Sequence, residues 1–260
     1  MDKDKLTNHI KDIQTKQIIK KVLGICEQSI YSHSVRNTKF LTPDQIELVS
    51  QIVSQSNGVS FCSSGMIEEA ERRIMYFFPD YMSYEDVEEV LSIVKISFAS
   101  KDAEIGHRDC LGSLIGLGID RESIGDIFFV GGDAYVIVLK PLDLFLRSDL
   151  TKIKNCKVSV QEVSEIPKHE VKYEEMLINV ASLRLDAIVA ELSRTSREKA
   201  QHLIREGRVR LNYLESKDNS RQLLMDSVIS IRGYGKYRVK EIASETKKKR
   251  LRVKVLKYSN

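Results

Sequence analysis

Five arginines lie within a short segment near the carboxyl end of the sequence, and their chemistry suits phosphate. They are Arg194, Arg197, Arg205, Arg208 and Arg210. A guanidinium stays charged and donates in a planar fork that can hold a phosphate bidentately. A single arginine is most often a solvated surface charge. The clustering instead favours a site for successive phosphates of one RNA backbone.

These arginines require a helix that turns one basic side outward, and the sequence predicts such a helix over residues 196–207. Thr195-Ser196-Arg197-Glu198 has the pattern of a capping box, and Gly207 is typical of a helix end. Arg197, Gln201 and Arg205 recur every four residues, so we expect them on one solvent-facing side. The predicted RNA contacts therefore include Ser196 and Gln201 beside the five arginines.

A second basic segment occupies residues 233–240, where glycines and tyrosines alternate with cations. Lys236, Arg238 and Lys240 share one face of a predicted strand, and Tyr234 could stack on a base. The alternative is a plain hairpin with exposed charge. The basic tail at residues 247–252 is, in the same way, either a backbone contact or a solvated end.

The formal charge changes sign along the chain. Residues 181–260 contain 20 Lys and Arg against 9 Asp and Glu, a net charge of +11. Residues 1–180 contain 21 against 28, a net charge of −7. Because clustered cations attract phosphates and release their counterions, the carboxyl-terminal part is predicted to bind a polyanion.

Residue types that other functions need are not arranged for them. The four cysteines stand far apart with no CxxC pair, which indicates neither a zinc site nor a disulfide framework. The glycines at 111–118 lack the Lys-Ser/Thr pair of a phosphate loop and suggest a closely packed helix. His107-Arg108-Asp109 resembles no catalytic triad. We expect no catalytic residue, metal, cofactor or small-molecule substrate.

Composition and the first residues indicate the cellular setting. Hydrophobic residues make up 42% of the chain and charged residues 30%, as in ordinary globular proteins. The sequence starts without a signal-peptide pattern, and it has no apolar run long enough for a membrane span. We therefore expect a cytoplasmic protein without a membrane partner.

The predicted elements describe an α+β protein. Residues 1–57 are predicted to be helical, with one helix starting at Thr42-Pro43-Asp44-Gln45. Residues 58–165 predict an RRM-like or ferredoxin-like α/β sandwich. Its predicted elements are strands at 59–63 and 87–99, helices at 66–78 and 110–119, a hairpin around Gly131-Gly132-Asp133, a helix near 142–150 and a strand near 157–163. Residues 166–181 are assigned to a linker, with the alternative of a strand at 170–180 that would belong to either domain. Residues 182–260 are assigned to a domain of two helices and several short strands.

The last domain resembles the RNA-binding domain first seen in small-subunit ribosomal protein four, here called the S-four domain. The resemblance is carried by Arg184-Leu185-Asp186, Ser196-Arg197, residues 204–209 and Asn212. Arg184 therefore joins the predicted RNA contacts. Asp186 is expected to be a helix cap or the partner of an arginine. The family usually has Gly-Asp where this chain has Met225-Asp226, and a glycine is common where Tyr213 stands.

Nearly the whole chain is similar to the YlmH-type proteins of Gram-positive bacteria. The similarity is carried by residues 70–81, 111–129, 182–188, 231–240 and 246–253. It implies an RRM-like middle domain and binding to large ribosomal subunits that carry a stalled peptidyl-tRNA. Ribosomal RNA and tRNA would then be the partners, in quality control of obstructed nascent chains.

Two other functions stay open. S-four domains are also appended to pseudouridine synthases and tyrosyl-tRNA synthetases, so an RNA-modifying enzyme is the first alternative. The catalytic signatures of those enzymes are not found in the rest of the sequence. The genetic neighbourhood of YlmH-type proteins suggests the second alternative, a scaffold for cell-division proteins.

Overall fold

A computed structural model describes residues 2–10, 12–100, 104–167, 173–246 and 249–258. The chain forms two compact units, residues 1–169 and residues 170–260. The first contains α1 (Lys3–Leu6), α2 (Ile13–Ser32), β1 (Arg36–Asn37), α3 (Pro43–Val53), β2 (Val59–Ser64), β3 (Ile74–Pro79), β4 (Leu91–Phe98), α4 (His107–Gly116), β5 (Ile124–Val130), β6 (Asp133–Leu139), α5 (Leu142–Asp149), β7 (Lys152–Ile153) and β8 (Cys156–Glu162). The second contains β9 (Tyr173–Val180), α6 (Leu185–Ser193), α7 (Arg197–Arg205), β10 (Val209–Leu211), β11 (Leu214–Glu215), β12 (Val228–Ile231), β13 (Gly235–Glu245) and β14 (Leu251–Tyr258).

The amino-terminal part packs α2 and α3 on an antiparallel sheet of order β1-β3-β2. The predicted start of α3 is confirmed, because Pro43 is its first residue and the Gln45 side chain accepts from the Thr42 backbone N–H at 2.9 Å. Leu23, Val49 and Phe77 meet in the core between the helices and the sheet. The helices predicted within residues 1–57 therefore cover one face of this sheet, and the same segment also contributes the short strand β1.

The helix predicted over residues 66–78 is wrong, since Ile74–Pro79 is β3, the central strand of its sheet. All six of its residues are buried. A strand buried on both faces has a continuous apolar run, which periodicity cannot separate from a buried helix. Because β2 and β3 pair with each other, and β3 with β1, the predicted start of the middle domain at residue 58 is also too early.

The middle part confirms the predicted α+β class with a ferredoxin-like sandwich. Its elements follow the order β4-α4-β5-β6-α5-β8, and its antiparallel sheet has the order β5-β6-β4-β8 with the short β7 added at the edge. Helices α4 and α5 cover one face, where Val94, Val136, Leu114 and Leu146 are buried together. The glycines of α4 are not needed for close packing, because a Cβ at Gly112 would meet no atom within 4 Å.

The other face of this sheet is covered by the three-stranded sheet. Tyr76 from β3 packs against Ile93 and Ile137, which are directly paired on β4 and β6. Phe128 and Tyr135 stack on each other in the same layer, with ring centroids 5.5 Å apart. The two sheets therefore bury this face between them, as in a sheet-on-sheet sandwich.

A half-buried polar cluster joins β5 to the loops before α3 and before β3. The Asp126 carboxylate accepts from the backbone N–H of Glu71 at 2.6 Å and of Arg72 at 3.1 Å. The Arg72 guanidinium donates to the carbonyls of Ile124 and Phe40 at 3.2 and 3.1 Å. Burial lowers the pKa of Arg72 to about 10, which leaves it charged at neutral pH. These bonds satisfy backbone groups at the edge of the sandwich.

The carboxyl-terminal unit packs α6 and α7 on one face of an antiparallel sheet of order β11-β10-β12-β13-β14-β9. Its core contains Leu185, Ile188, Leu203, Val239 and Val253. Strand β9 pairs with β14 along its full length. The alternative of a strand at 170–180 is therefore confirmed, since β9 belongs to this sheet, and the linker assigned to 166–181 is too long. Residues 168–172 lie outside the described residues.

In the described ranges, no helix combines the length and the apolar character that crossing a membrane requires.

Candidate RNA-binding site

The connection between α6 and α7 sets the direction of the predicted arginines. Arg194 ends α6 in the left-handed conformation, with φ at 51°. Ser196, rather than Thr195, caps α7, because its side chain accepts from the Lys199 backbone N–H at 3.2 Å. The Thr195 hydroxyl instead lies 2.8 Å from the Ser193 hydroxyl. The predicted capping box is therefore wrong: α7 has a single serine cap one residue later, and the residue three positions after it is Lys199 instead of a Glu.

Asp186 is the buried centre of this region, with no exposed surface. Arg184 reaches its two carboxylate oxygens at 3.1 and 3.0 Å, and Arg197 does so at 3.1 Å for both. Gln201 donates a further bond at 3.0 Å. Burial opposes the charge, but these hydrogen bonds outweigh it and hold the pKa of Asp186 well below its usual range. Asp186 is therefore an arginine partner.

This arrangement corrects the expectation that Arg197 and Gln201 point freely into solvent. Both direct polar atoms at Asp186, although the Arg197 side chain keeps 52% of its surface exposed. Two guanidiniums share one carboxylate, so the group retains a net positive charge. Because the carboxylate fixes both side chains, they can meet a phosphate with little further loss of conformational freedom.

Three other arginines lie at or just after the ends of α6 and α7, and each is exposed. Arg194 follows α6, Arg205 lies in the last turn of α7, and Arg208 follows the helix. Arg205 donates to the Gln201 carbonyl at 3.3 Å, and Arg208 to the Arg232 carbonyl at 3.3 Å. We call Arg194, Arg197, Arg205 and Arg208 the helix surface.

The remaining predicted cations belong to the opposite face of the sheet. Arg210 is paired in register with Ser230, and Ser230 with Lys236, so their side chains point to the same face. The flanking residues Val209 and Tyr237 point to the helices and are buried. Arg238 shares the face of Lys236 because it lies two residues further along β13. The structure thus separates the predicted site into two surfaces.

Two other predicted contacts of residues 233–240 are placed differently from expectation. A bulge after Val239 interrupts the alternation at Lys240, whose ammonium lies 3.4 Å from Asp226. Tyr234 is half-buried against the hydrophobic core, beside the helices. The sequence alternation would place Lys240 in a regular row with Lys236, but the bulge sets it apart.

Two tyrosines near Lys236 were not among the functional residues predicted from the sequence. The Lys236 ammonium lies 4.4 Å from the centre of the Tyr258 ring and 4.9 Å from that of Tyr213. Arg238 donates to the Tyr258 hydroxyl at 3.1 and 2.8 Å. We call Arg210, Lys236, Arg238, Tyr213 and Tyr258 the sheet surface. Only the strand register brings these residues together, and the sequence alone does not give that register.

Tyr213 also settles one departure from the S-four pattern. It has φ at 70°, the left-handed conformation for which a glycine is common at this position of the family. In the second unusual turn the left-handed residue is Asp226, with φ at 61°, whereas Met225, which stands at the glycine position, is not among the described residues with positive φ. The first turn therefore keeps a conformation that glycine adopts most easily, and the second does not require a glycine at residue 225.

Two residues of the basic tail, Leu251 and Arg252, begin a strand. Leu251–Tyr258 is β14, and Arg250 donates to the Asn179 carbonyl at 2.6 Å and to Glu191 at 3.1 Å. The part at Lys247 and Lys248 lies outside the described residues.

The cysteines form no disulfide, and burial raises the pKa of Cys26 and Cys110 to about 11. Across the ranges that the structure describes, no group of three or more His, Cys, Asp or Glu side chains could hold a metal ion.

Comparisons with known proteins match three successive segments of the chain, which correspond to the amino-terminal part, the middle part and the carboxyl-terminal unit. A family profile described as "YlmH, N-terminal" matches residues 14–82, and one described as "Putative RNA-binding domain in YlmH" matches residues 85–166. The S-four domain, written S4 domain, matches residues 183–229.

Two relatives extend the comparison. The Ribosome-associated protein quality control protein P2 of Bacillus subtilis (strain 168) is 32% identical over 225 residues, covering 85% of this chain and 86% of that protein. The solved structure of the cell division protein ylmH from Streptococcus pneumoniae has a TM-score of 0.52 and 23% identity, covering 58% of this chain and 92% of that chain. This second likeness concerns the fold alone. Because the first relative aligns over most of both sequences, the chain belongs to the YlmH family.

Proposed function

We propose that this protein is a non-catalytic RNA-binding protein of the ribosome, and that it binds large subunits obstructed by peptidyl-tRNA. Two of the matched profiles support RNA binding, since one is described as an RNA-binding domain and the other is the S-four domain. The B. subtilis relative is named for ribosome-associated quality control. The observation that carries the proposal is the helix surface, where exposed arginines at the ends of α6 and α7 accompany Arg197, whose guanidinium is fixed by Asp186.

The chemistry of the helix surface suits structured RNA. Such RNA is recognised largely through its shape, its phosphates and its 2′-hydroxyls, which a convex helix with fixed guanidiniums can contact. If four phosphates are neutralised, log K should fall with log salt at a slope of about −3 to −4. Ribosomal RNA and tRNA both present this kind of backbone, and either could provide the contacted phosphates.

The test is binding of the purified full chain to large subunits that carry peptidyl-tRNA, measured by co-sedimentation. Replacing Arg205 and Arg208 with Ala should weaken binding by about 1.5 to 3 kcal/mol for each lost charge-assisted contact. Lys199→Ala is the matched control, because Lys199 is exposed on the same helix but about half a turn away from Arg197 and Gln201. Undiminished binding of the arginine variant would contradict the proposal.

The two alternatives have separate tests. An RNA-modifying enzyme would leave an altered nucleoside after incubation with ribosomal RNA or tRNA, and we expect none by nucleoside analysis. A division scaffold without RNA contacts would stay at the top of a sucrose gradient of cell extract. We expect the protein in the ribosomal fractions instead.

A further inference from the structure

The sheet of the carboxyl-terminal unit has helices on one face and a row of polar and aromatic side chains on the other. The row runs across five neighbouring strands, and its members are Arg210 on β10, Ser230 on β12, Lys236 on β13, Tyr258 on β14 and Tyr173 on β9. The strands lie about 4.8 Å apart, so each side chain is next to the following one. All five residues are exposed or half-buried.

Aromatic rings hold the central cation of this row. The Lys236 ammonium is within 5 Å of the Tyr258 and Tyr213 ring centres, which is the range of a cation–π contact. The edge of Tyr173 meets Tyr258, with ring centroids 5.0 Å apart. The Arg238 guanidinium is fixed on the Tyr258 hydroxyl. Charge and rings therefore occupy one continuous surface.

We propose that the sheet surface is a second RNA-contacting surface, separate from the helix surface, and that it takes a single-stranded segment. This proposal rests on the proposed function and deepens it. The S-four domain would then hold structured RNA with its helices and an unpaired strand with the reverse of its sheet.

The spacing and chemistry of the sheet surface favour a single strand. Alternate residues of one strand are about 7 Å apart, so Lys236 and Arg238 present separate charges along an extended backbone. Basic side chains interleaved with aromatic rings are the combination by which proteins hold single-stranded nucleic acid without strict sequence preference. An acidic peptide would satisfy the cations but make no use of the rings. The carboxylates of Glu175 and Glu241 lie beside Lys254. Glu215 is paired in register with Arg210, and the Lys217 ammonium lies 3.3 Å from its carboxylate.

The experiment measures binding of a fluorescein-labelled oligouridylate of about 16 nucleotides to the full chain by anisotropy. The test variant is Arg210→Gln with Lys236→Gln, and we expect it to bind the oligouridylate at least tenfold more weakly. Lys257→Gln is the matched control, because Lys257 neighbours Tyr258 on β14 but points to the opposite face, 3.4 Å from Glu174. The control should bind within about twofold of the wild type.

Further variants keep the test decisive if the double variant folds poorly. Lys236→Arg keeps the charge over the rings and should bind like the wild type. Tyr258→Phe keeps the ring but removes the hydroxyl that positions Arg238, and we expect a loss of about threefold. A thermal unfolding curve for each variant separates lost binding from lost structure. If Lys257→Gln, which removes one charge, lost half as much binding free energy as the double variant, which removes two, charge alone would explain both losses and the proposal would be overturned.

Large-subunit binding by the same variants separates the two proposals. If the arginine variant of the helix surface loses subunit binding while the double variant keeps full oligouridylate affinity, the sheet proposal fails and the proposed function stands. If the helix-surface variant keeps subunit binding while the double variant loses oligouridylate, the sheet surface stands and the proposed role of the helices fails. Polyglutamate of equal charge should compete far more weakly than unlabelled oligouridylate; equal competition would exclude RNA as the specific ligand.

Discussion

The two large sheets of this protein share one arrangement and differ in what lies on their second face. In each, a pair of helices covers one face. In the middle part, the second face is buried under a three-stranded sheet, and Phe128 and Tyr135 are only 5% and 8% exposed. In the carboxyl-terminal unit, the second face carries half-buried tyrosines among cations.

Topology alone therefore does not locate an RNA-binding face. RRM domains stack bases on aromatic residues of the sheet face that their helices leave free. Here the ferredoxin-like sheet has aromatic residues on that face, but they stack on each other inside the core. We therefore expect any RNA contact of the middle part to use other surfaces. The following substitutions test the difference between a covered face and an open one.

The largest effect is expected from Phe128→Ala on the covered face. Removing a buried ring leaves a cavity and should reduce the free energy of unfolding by about 3 to 5 kcal/mol. Tyr258→Ala on the open face is the comparison, and its cost should be below about 2 kcal/mol because the ring is half-buried. Native-state hydrogen exchange reports the two units separately. Equal costs would break the distinction between the faces.

Asp186→Asn should have the next largest effect, this time on the helix side of the carboxyl-terminal unit. The amide keeps the size of the side chain but leaves the Arg184 and Arg197 guanidiniums without a counter-charge. We expect a loss of about 2 to 4 kcal/mol, because the charge-assisted hydrogen bonds that Arg184 and Arg197 make to the buried carboxylate are weakened or lost. Urea unfolding of the full chain measures it. Oligouridylate binding should change little, since Asp186 lies on the other side of the sheet.

The same variant gives a pH dependence with a definite sign. The folded protein holds the pKa of Asp186 below the ordinary value of about 4, so the carboxylate stabilises the fold above that pH. This contribution declines as the pH falls below about 4, because the unfolded chain then takes up a proton at Asp186 that the folded protein does not. The difference in unfolding free energy between wild type and Asp186→Asn should be constant from about pH 5 to 8 and shrink in acid. A constant difference down to about pH 2 would contradict the assignment.

A glycine of β5 tests how closely Phe40, in the loop between β1 and α3, approaches the ferredoxin-like sheet. A Cβ at Gly125 would stand 2.7 Å from the Phe40 ring and 3.1 Å from the Ile137 carbonyl oxygen. Gly125→Ala should therefore cost about 1 to 3 kcal/mol through overpacking. Gly112→Ala, in the middle of α4 with open space around it, should instead stabilise by about 0.5 to 1 kcal/mol. Thermal unfolding of both variants checks the opposite signs.

The sequence predicts the fold where patterns are local. The start of α3, the hairpin of β5 and β6 and the two helices of the S-four domain all follow from caps, turns and periodic apolar residues. It fails at β3, because a strand buried on both faces has no alternation to reveal it. Strand β3 belongs to the sheet that covers the ferredoxin-like sheet. Because the sequence does not predict β3, it also does not predict which face of the ferredoxin-like sheet is buried.

The candidate site was predictable as a set of residues but not as two surfaces. Charge and spacing identify Arg205 and Lys236 as candidate RNA contacts, yet neither property states on which side of a sheet a side chain lies. The buried position of Asp186 and the ring contacts of Tyr258 depend on packing between distant segments. Arg197 looked like a free cation because its partner is 11 residues away and belongs to another helix.

The smallest predicted effect concerns Lys240, which the sequence places in the same row as Lys236 and Arg238. The bulge after Val239 takes it out of that row, and its ammonium pairs at 3.4 Å with the exposed Asp226. An exposed ion pair contributes little, so Lys240→Ala should change the unfolding free energy by less than about 0.5 kcal/mol. Its affinity for the labelled oligouridylate should fall by no more than about twofold, whereas Lys236→Gln alone should lower it several-fold. If both variants weakened binding equally, the overall positive charge of the open face would explain the binding. The particular arrangement of cations and rings would then contribute no preference for a single strand.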